Sequence, residues 1–141
     1  MHDRTAKHLS SLHTLLYRTT RGRVGRRLVD NDMLLLTTTG RVSGRLHTVP
    51  LLYLQAEEAL VVIASWGGRA EHPHWYMNLL ADPHAHVTLP GRELSVIART
   101  ASPQERHRLW PKAVAAYAGY ATYQSRTDRE IPIVYLDPVQ T

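Results

Sequence analysis

Between Met33 and Leu136 the chain breaks into six short runs rich in Leu, Val, Ile, Thr and Tyr, with glycine or proline clusters dividing most of them. Such residues suit a pleated, half-buried surface, and Gly/Pro punctuation ends each run before it grows into a long element. The runs fall at about 33–39, 46–54, 60–65, 84–89, 92–100 and 131–136. Residues 40–45 join the first two as a hairpin, 55–59 join the next pair, and Pro90-Gly91 turns the fourth into the fifth. Six strands with few helices predict a mainly β chain with helices (α+β), closed as a small barrel or strongly curled sheet. The strand–helix alternation of a Rossmann fold is missing, as is its GxGxxG fingerprint. At 141 residues, one domain with a real core is expected.

Three helices are expected around these strands. One spans about 73–81, with Pro73 at its start and Pro83 beyond its end. Another opens at Ser102-Pro103-Gln104-Glu105, a capping box with proline at the first helical position. Pro111 is expected to kink or divide it. The third is amphipathic, over 5–17, where Ala6, Leu9, Leu12, Leu16 and Tyr17 recur at helical spacing. Residues 18–27 follow as a basic connector, so the chain divides into an arm, 1–27, and a barrel domain, 28–141.

The net charge of +5 belongs to that arm. Residues 1–30 hold seven Lys/Arg against Asp3 and Asp30, and the rest of the chain holds ten of each sign. A basic arm favours an anionic partner such as an acidic lipid surface; docking on its own domain is the alternative. Cysteine is absent, which removes disulfides, thiol catalysis and thiolate metal sites. With no apolar run near 20 residues and no secretory leader, a cytoplasmic protein is expected, at most peripheral to the membrane's inner face. The charge-neutral body carries no nucleic-acid recognition motif, so no nucleic-acid partner is expected.

Four stretches carry chemistry. The hairpin turn Gly40-Arg41-Val42-Ser43-Gly44-Arg45 sets glycines and a hydroxyl among two guanidinium groups, the composition of an anion seat; a plain solvated turn is the alternative. Thr48 and Pro50 follow on the outgoing strand, where proline marks an edge or bulge. Ala64-Ser65-Trp66-Gly67-Gly68 closes an apolar strand with small residues that let a ligand approach the backbone, or forms a simple loop. Trp75 and Asn78 lie three apart on one helix face, offering a flat wall and an amide to a heterocycle, or else core packing. Tyr117, Tyr120 and Tyr123 recur every three residues and either line a pocket or fill a core. The pairs His72/His74 and His84/His86 lack a carboxylate spaced to complete a metal site, and no metal is expected.

In this order, these elements resemble the deazaflavin-dependent nitroreductase family, whose fold is similar to the FMN-binding split β-barrels. The likeness runs from about Leu16 to Pro138. It is carried by Leu34-Leu35-Leu36-Thr37-Thr38-Thr39-Gly40-Arg41, Ser43-Gly44, Pro50-Leu51-Leu52-Tyr53, Ala64-Ser65, Gly67-Gly68, His72-Pro73, Trp75-Tyr76, Asn78-Leu79, Tyr120, Tyr123-Gln124, Thr127-Asp128-Arg129 and Ile131-Pro132-Ile133-Val134.

The resemblance implies a split β-barrel of about six antiparallel strands. It also implies a reductase moving a hydride from reduced coenzyme F420 to a small electrophile such as a quinone, enone or nitroaromatic. It assigns the acidic cofactor tail to Arg41, Val42, Ser43, Arg45, His47, Thr48, Val49 and Pro50. It assigns the ring to Ala64, Ser65, Trp66, His74, Trp75, Tyr76 and Asn78. Tyr117, Tyr120 and Tyr123 fall on the acceptor side, with Tyr120 as the candidate for polarising or protonating the acceptor. Split barrels of this kind often pair as homodimers. Family members commonly carry Lys and Arg where this chain has Val42 and His47, so its seat holds fewer fixed charges. FMN in place of F420, or a cofactor-carrying or lipid-surface binding protein with little turnover, are the alternative readings.

Overall fold

A hairpin opens the fold: β1 (Met33–Thr39) and β2 (Leu46–Leu52) pair antiparallel from Met33↔Leu52 to Thr39↔Leu46. The structure, a computed structural model, describes residues 33–56 and 58–139. The amphipathic helix expected over 5–17 and the arm boundary at 27 lie outside them.

β3 (Leu54–Ala56) and β4 (Ala59–Ile63) come next, then helix α1 (His74–Ala81), β5 (His84–Leu89) and β6 (Arg92–Thr100). Helices α2 (Pro103–Ala116) and α3 (Gly119–Ser125) precede β7 (Ile133–Pro138). Among the described residues the strands form one seven-stranded antiparallel sheet, ordered β2-β1-β5-β6-β7-β4-β3.

The extra strand is informative. The single run expected over 46–54 breaks at Tyr53, and the two pieces become opposite edges of the sheet. One residue separates them, so the ends of β2 and β3 lie within about 7 Å of each other. A sheet whose two edges share a one-residue connection must curl until they meet. This is the half-open, split form of a barrel.

Alternation along the strands sets two cores. Leu34, Leu36, Val62, Val87, Val96, Val134 and Leu136 face inward, and Trp75, Tyr76 and Leu79 of α1 close that interior. The opposite faces of β4 and β7 bury Val61, Ile63, Ile133 and Tyr135 beneath Leu109 and Ala113 of α2 and Tyr120 of α3. Strands buried on both faces read as the continuous apolar runs seen in the sequence.

The capping box forms: the Glu105 amide donates to Ser102 Oγ at 3.2 Å, and the Ser102 amide to Glu105 Oε1 at 2.9 Å. Pro111 does not divide α2, which runs on to Ala116 as one helix. Its exposed position leaves the ring in solvent.

Candidate functional site

The β1–β2 turn is built around close approach. The Gly40 amide donates to the Arg45 carbonyl at 2.7 Å, and the Gly44 amide to the Gly40 carbonyl at 2.9 Å. Gly44 holds φ +73°, which favours glycine. A Cβ on Gly40 would lie 2.7 Å from His47 Nε2 and 2.8 Å from Ser43 Oγ, so the imidazole and hydroxyl sit over this glycine because it has no side chain. The Ser43 hydroxyl also accepts from the Arg45 amide at 3.1 Å.

Arg41 ties the turn to α1. Its Nη1 donates to Asn78 Oδ1 at 2.7 Å and to the His74 carbonyl at 3.3 Å, and its Nη2 lies 3.3 Å from His74 Nδ1. Its amide also donates to Asn78 Oδ1, at 3.2 Å. Asn78, buried in the helix face, donates from Nδ2 to Thr38 Oγ1 at 3.1 Å. The amide read from sequence as facing a heterocycle thus braces Arg41 against β1. Those partners of Arg41 are an amide oxygen, a peptide carbonyl and an imidazole, so its charge is not spent on them.

Alternation divides the outgoing strand. His47 and Val49 lie opposite Thr38 and Leu36, on the inward face, whereas Thr48 and Pro50 lie opposite Thr37 and Leu35 on the outer face. Thr48 Oγ1 meets Thr37 Oγ1 at 2.7 Å. Pro50 does sit on an edge strand, as its missing donor requires. Val42 stands in solvent at 93% exposure.

After β4 the chain makes a left-handed turn. Trp66, Gly67 and Gly68 hold φ of 44°, 63° and 82°. The Gly68 amide donates to the Ser65 carbonyl at 2.9 Å, and the Arg69 amide to the Trp66 carbonyl at 3.2 Å. A tryptophan here is strained, and such strain persists only where the surroundings impose it. The indole contacts both the Arg69 guanidinium, 4.5 Å from its centroid, and the His74 ring at 5.4 Å. Arg41, His74, Trp66 and Arg69 therefore touch in sequence, linking the hairpin turn to the 65–68 turn along one rim.

That rim continues to α3. A Cβ on Gly68 would lie 2.5 Å from the Tyr123 carbonyl. The three tyrosines cluster, with ring centroids 5.1, 6.1 and 6.4 Å apart, and the Tyr117 and Tyr123 hydroxyls meet at 3.1 Å. Tyr117 and Tyr120 line a hollow with Leu52, Tyr53 and Leu54, at the seam where β2 gives way to β3. Tyr120 is 6% exposed, and burial, then the neighbouring Tyr117 and Tyr123, push its phenol well above the ordinary value of 10.0. It stays a neutral hydrogen-bond donor.

Trp75 and Tyr76 are buried in the barrel interior, and Tyr76 Oη meets Thr100 Oγ1 at 2.8 Å. They support the floor of the rim more than its surface. Among the described residues no three His, Asp or Glu side chains converge as a metal-binding group.

One participant had no assigned role in the sequence patterns. Arg129 sends donors to the carbonyls of Ala64, Ser65 and Arg69 and to His72 Nδ1. Only the Thr127-Asp128-Arg129 stretch within the resemblance pointed to it, because its partners lie some 60 residues away in sequence.

A curled antiparallel sheet whose interior is closed by a helix, with a cationic rim leading to aromatic side chains, defines a split β-barrel. The chain belongs to the F420H(2)-dependent quinone reductase family, whose model matches residues 9–138. F420H(2)-dependent quinone reductase Rv1261c of Mycobacterium tuberculosis is 37% identical over 132 residues, covering 91% of this chain and 89% of that protein. A solved F420-H2 dependent reductase, FDR-A, superposes with a TM-score of 0.69 at 38% identity, covering 75% of this chain and 94% of its own. A second solved structure, described as a domain-swapped dimer, matches with a TM-score of 0.69 at 34% identity, covering 84% of this chain and 96% of that one.

Proposed function

We propose that this chain is an F420-dependent reductase that passes a hydride to a quinone. The observation that best supports this reading is the continuous rim of Arg41, His74, Trp66 and Arg69, which joins an anion-suited turn to a cluster of tyrosines. The residues present fit a deazaflavin with an acidic tail. Arg41 keeps its charge beside the glycine turn, and Gly40 and Gly68 leave no room for side chains where neighbouring groups approach.

Bound coenzyme F420 in its reduced form supplies the hydride. Arg41, Ser43 and Arg45 would hold the acidic tail, with Val42 and His47 beside it; Thr48 and Pro50, on the other face of β2 from His47 and Val49, would reach the tail only along the strand edge. Ala64, Ser65 and Trp66 border the ring, and His74, Trp75, Tyr76 and Asn78 support it from α1. Reduction of a quinone to its hydroquinone takes a hydride, which reduced F420 would supply, and a proton, which solvent supplies. Tyr120, kept protonated by burial, donates a hydrogen bond to the acceptor oxygen, and Tyr117 and Tyr123 pack its ring.

Titration with F420 and, separately, FMN tests this reading. F420 binding with turnover of a quinone supports it; FMN binding with no F420 binding refutes it. We extend the reading to a homodimer, motivated by the domain-swapped relative, and light scattering at working concentration tests that. Among the described residues no helix is long and apolar enough to cross a membrane. Contact of the basic segment 1–27 with an acidic membrane surface on the cytoplasmic side is a further proposal. It predicts that removing the segment lowers liposome co-sedimentation, and an unchanged bound fraction contradicts it.

A further inference from the structure

Arg129, in the loop between α3 and β7, uses all three guanidinium nitrogens. Nε donates to the Arg69 carbonyl at 2.8 Å, Nη2 to the Ser65 carbonyl at 2.7 Å, and Nη1 to the Ala64 carbonyl at 3.2 Å and His72 Nδ1 at 3.0 Å. Two of these carbonyls lie just before the left-handed turn and one just after it. A single rigid fork thus fixes both ends of a strained segment, which a lysine ammonium cannot do in the same geometry. Arg126 Nη1 adds a contact to the Gly67 carbonyl at 3.4 Å.

We propose that Arg129, with neutral His72 as its acceptor, is a positioning residue that holds the 65–68 turn in its left-handed form and so sets the wall against which the deazaflavin ring seats. The ring-seat half rests on the function proposed above; the staple itself does not.

A guanidinium only donates, so His72 Nδ1 must accept. The groups facing this imidazole are Arg129 and the Tyr76 ring, edge-on at 4.9 Å between centroids, while neighbouring Glu71 acts on Arg129. Burial, then the Arg129 charge, hold the His72 imidazole below its ordinary value of 6.5. Below 6.5 an opened loop takes up a proton that the closed loop resists. The staple is therefore complete above that value and weakens as pH falls through the lower value in the fold.

Amide hydrogen exchange on the ligand-free full chain, at about pH 7.5 and about pH 5.5 and corrected for intrinsic rates, reads this directly. Protection of residues 65–69 should fall at the lower pH while the amides of Val62 and Val134, in the sheet core, hold theirs. Arg129→Gln should lower protection of the turn about tenfold or more at both pH values. His72→Asn keeps an acceptor oxygen without a titrating ring, and should keep the protection but lose its pH dependence. Wild-type protection in R129Q overturns the staple. If R129Q does not fold, H72N decides, and an unaltered pH dependence there overturns it. Fluorescence titration of F420 on the same proteins separates the two halves. R129Q should bind about tenfold more weakly, and unchanged affinity with lost protection overturns the ring-seat half. Wild-type protein that shows the staple yet binds no F420 refutes the proposed function instead.

Discussion

Arg41 serves two partners at once. Its hydrogen bonds to Asn78 and His74 brace the hairpin turn against α1, and because no carboxylate is among those partners its charge remains available to an anion. Arg41→Ala should therefore weaken F420 binding by about 1.5–3 kcal/mol, the range for a hydrogen bond to a charged group. Calorimetric titration checks this, and unchanged affinity would place the tail elsewhere. Asn78→Leu leaves the Arg41 amide and the buried Thr38 hydroxyl without this partner, at a cost of about 1–3 kcal/mol per group in unfolding free energy. Denaturant unfolding should show a lower midpoint with an unchanged slope. For Tyr120, loss of the hydroxyl in Tyr120→Phe should lower kcat about tenfold to a hundredfold with little change in KM. Equal kcat would reduce Tyr120 to packing.

At the scale of elements, α2 shows how local chemistry fixes a boundary. Ser102→Ala removes the N-cap and should cost about 0.5–2 kcal/mol, measured by thermal or denaturant unfolding. The Ser102 amide, and then Arg99, hold the Glu105 carboxyl below its ordinary 4.5. Its contribution to stability is present above 4.5 and is lost as pH falls through the lower value in the fold. This helix start was legible because four adjacent residues encode it. The strands were legible for the same reason, since β-branched runs between Gly/Pro clusters are local signals. The break at Tyr53 was not, because Leu51-Leu52-Tyr53-Leu54 is one unbroken apolar run and the break is imposed by pairing at opposite edges of the sheet. The roles of Arg129 and Asn78 were hidden likewise. One donates across about 60 residues of chain and the other joins α1 to a hairpin turn 37 residues earlier.

Across the whole molecule, closure of the sheet through a one-residue link brings into order what the chain presents separately. The glycine–arginine turn, the N-terminal end of α1, the left-handed turn and the tyrosines of α3 form one line of contacts along the barrel rim. On the proposed reading, the acidic tail and flat ring of F420 would lie along that line, whereas FMN, with a single phosphate and no long tail, would leave part of the cationic rim unused. With Val42 and His47 where the resemblance implies fixed positive charges, Arg41 and Arg45 are the fixed charges of the hairpin turn. The most direct test is equilibrium titration of the full chain with oxidised F420 and with FMN at the same ionic strength, followed by mixing reduced F420 with a soluble quinone. The account predicts tighter binding of F420 than of FMN, and loss of the reduced-cofactor absorbance matched by hydroquinone formation. Tighter binding of FMN, or F420 binding without any oxidation of the reduced form by the quinone, would contradict it.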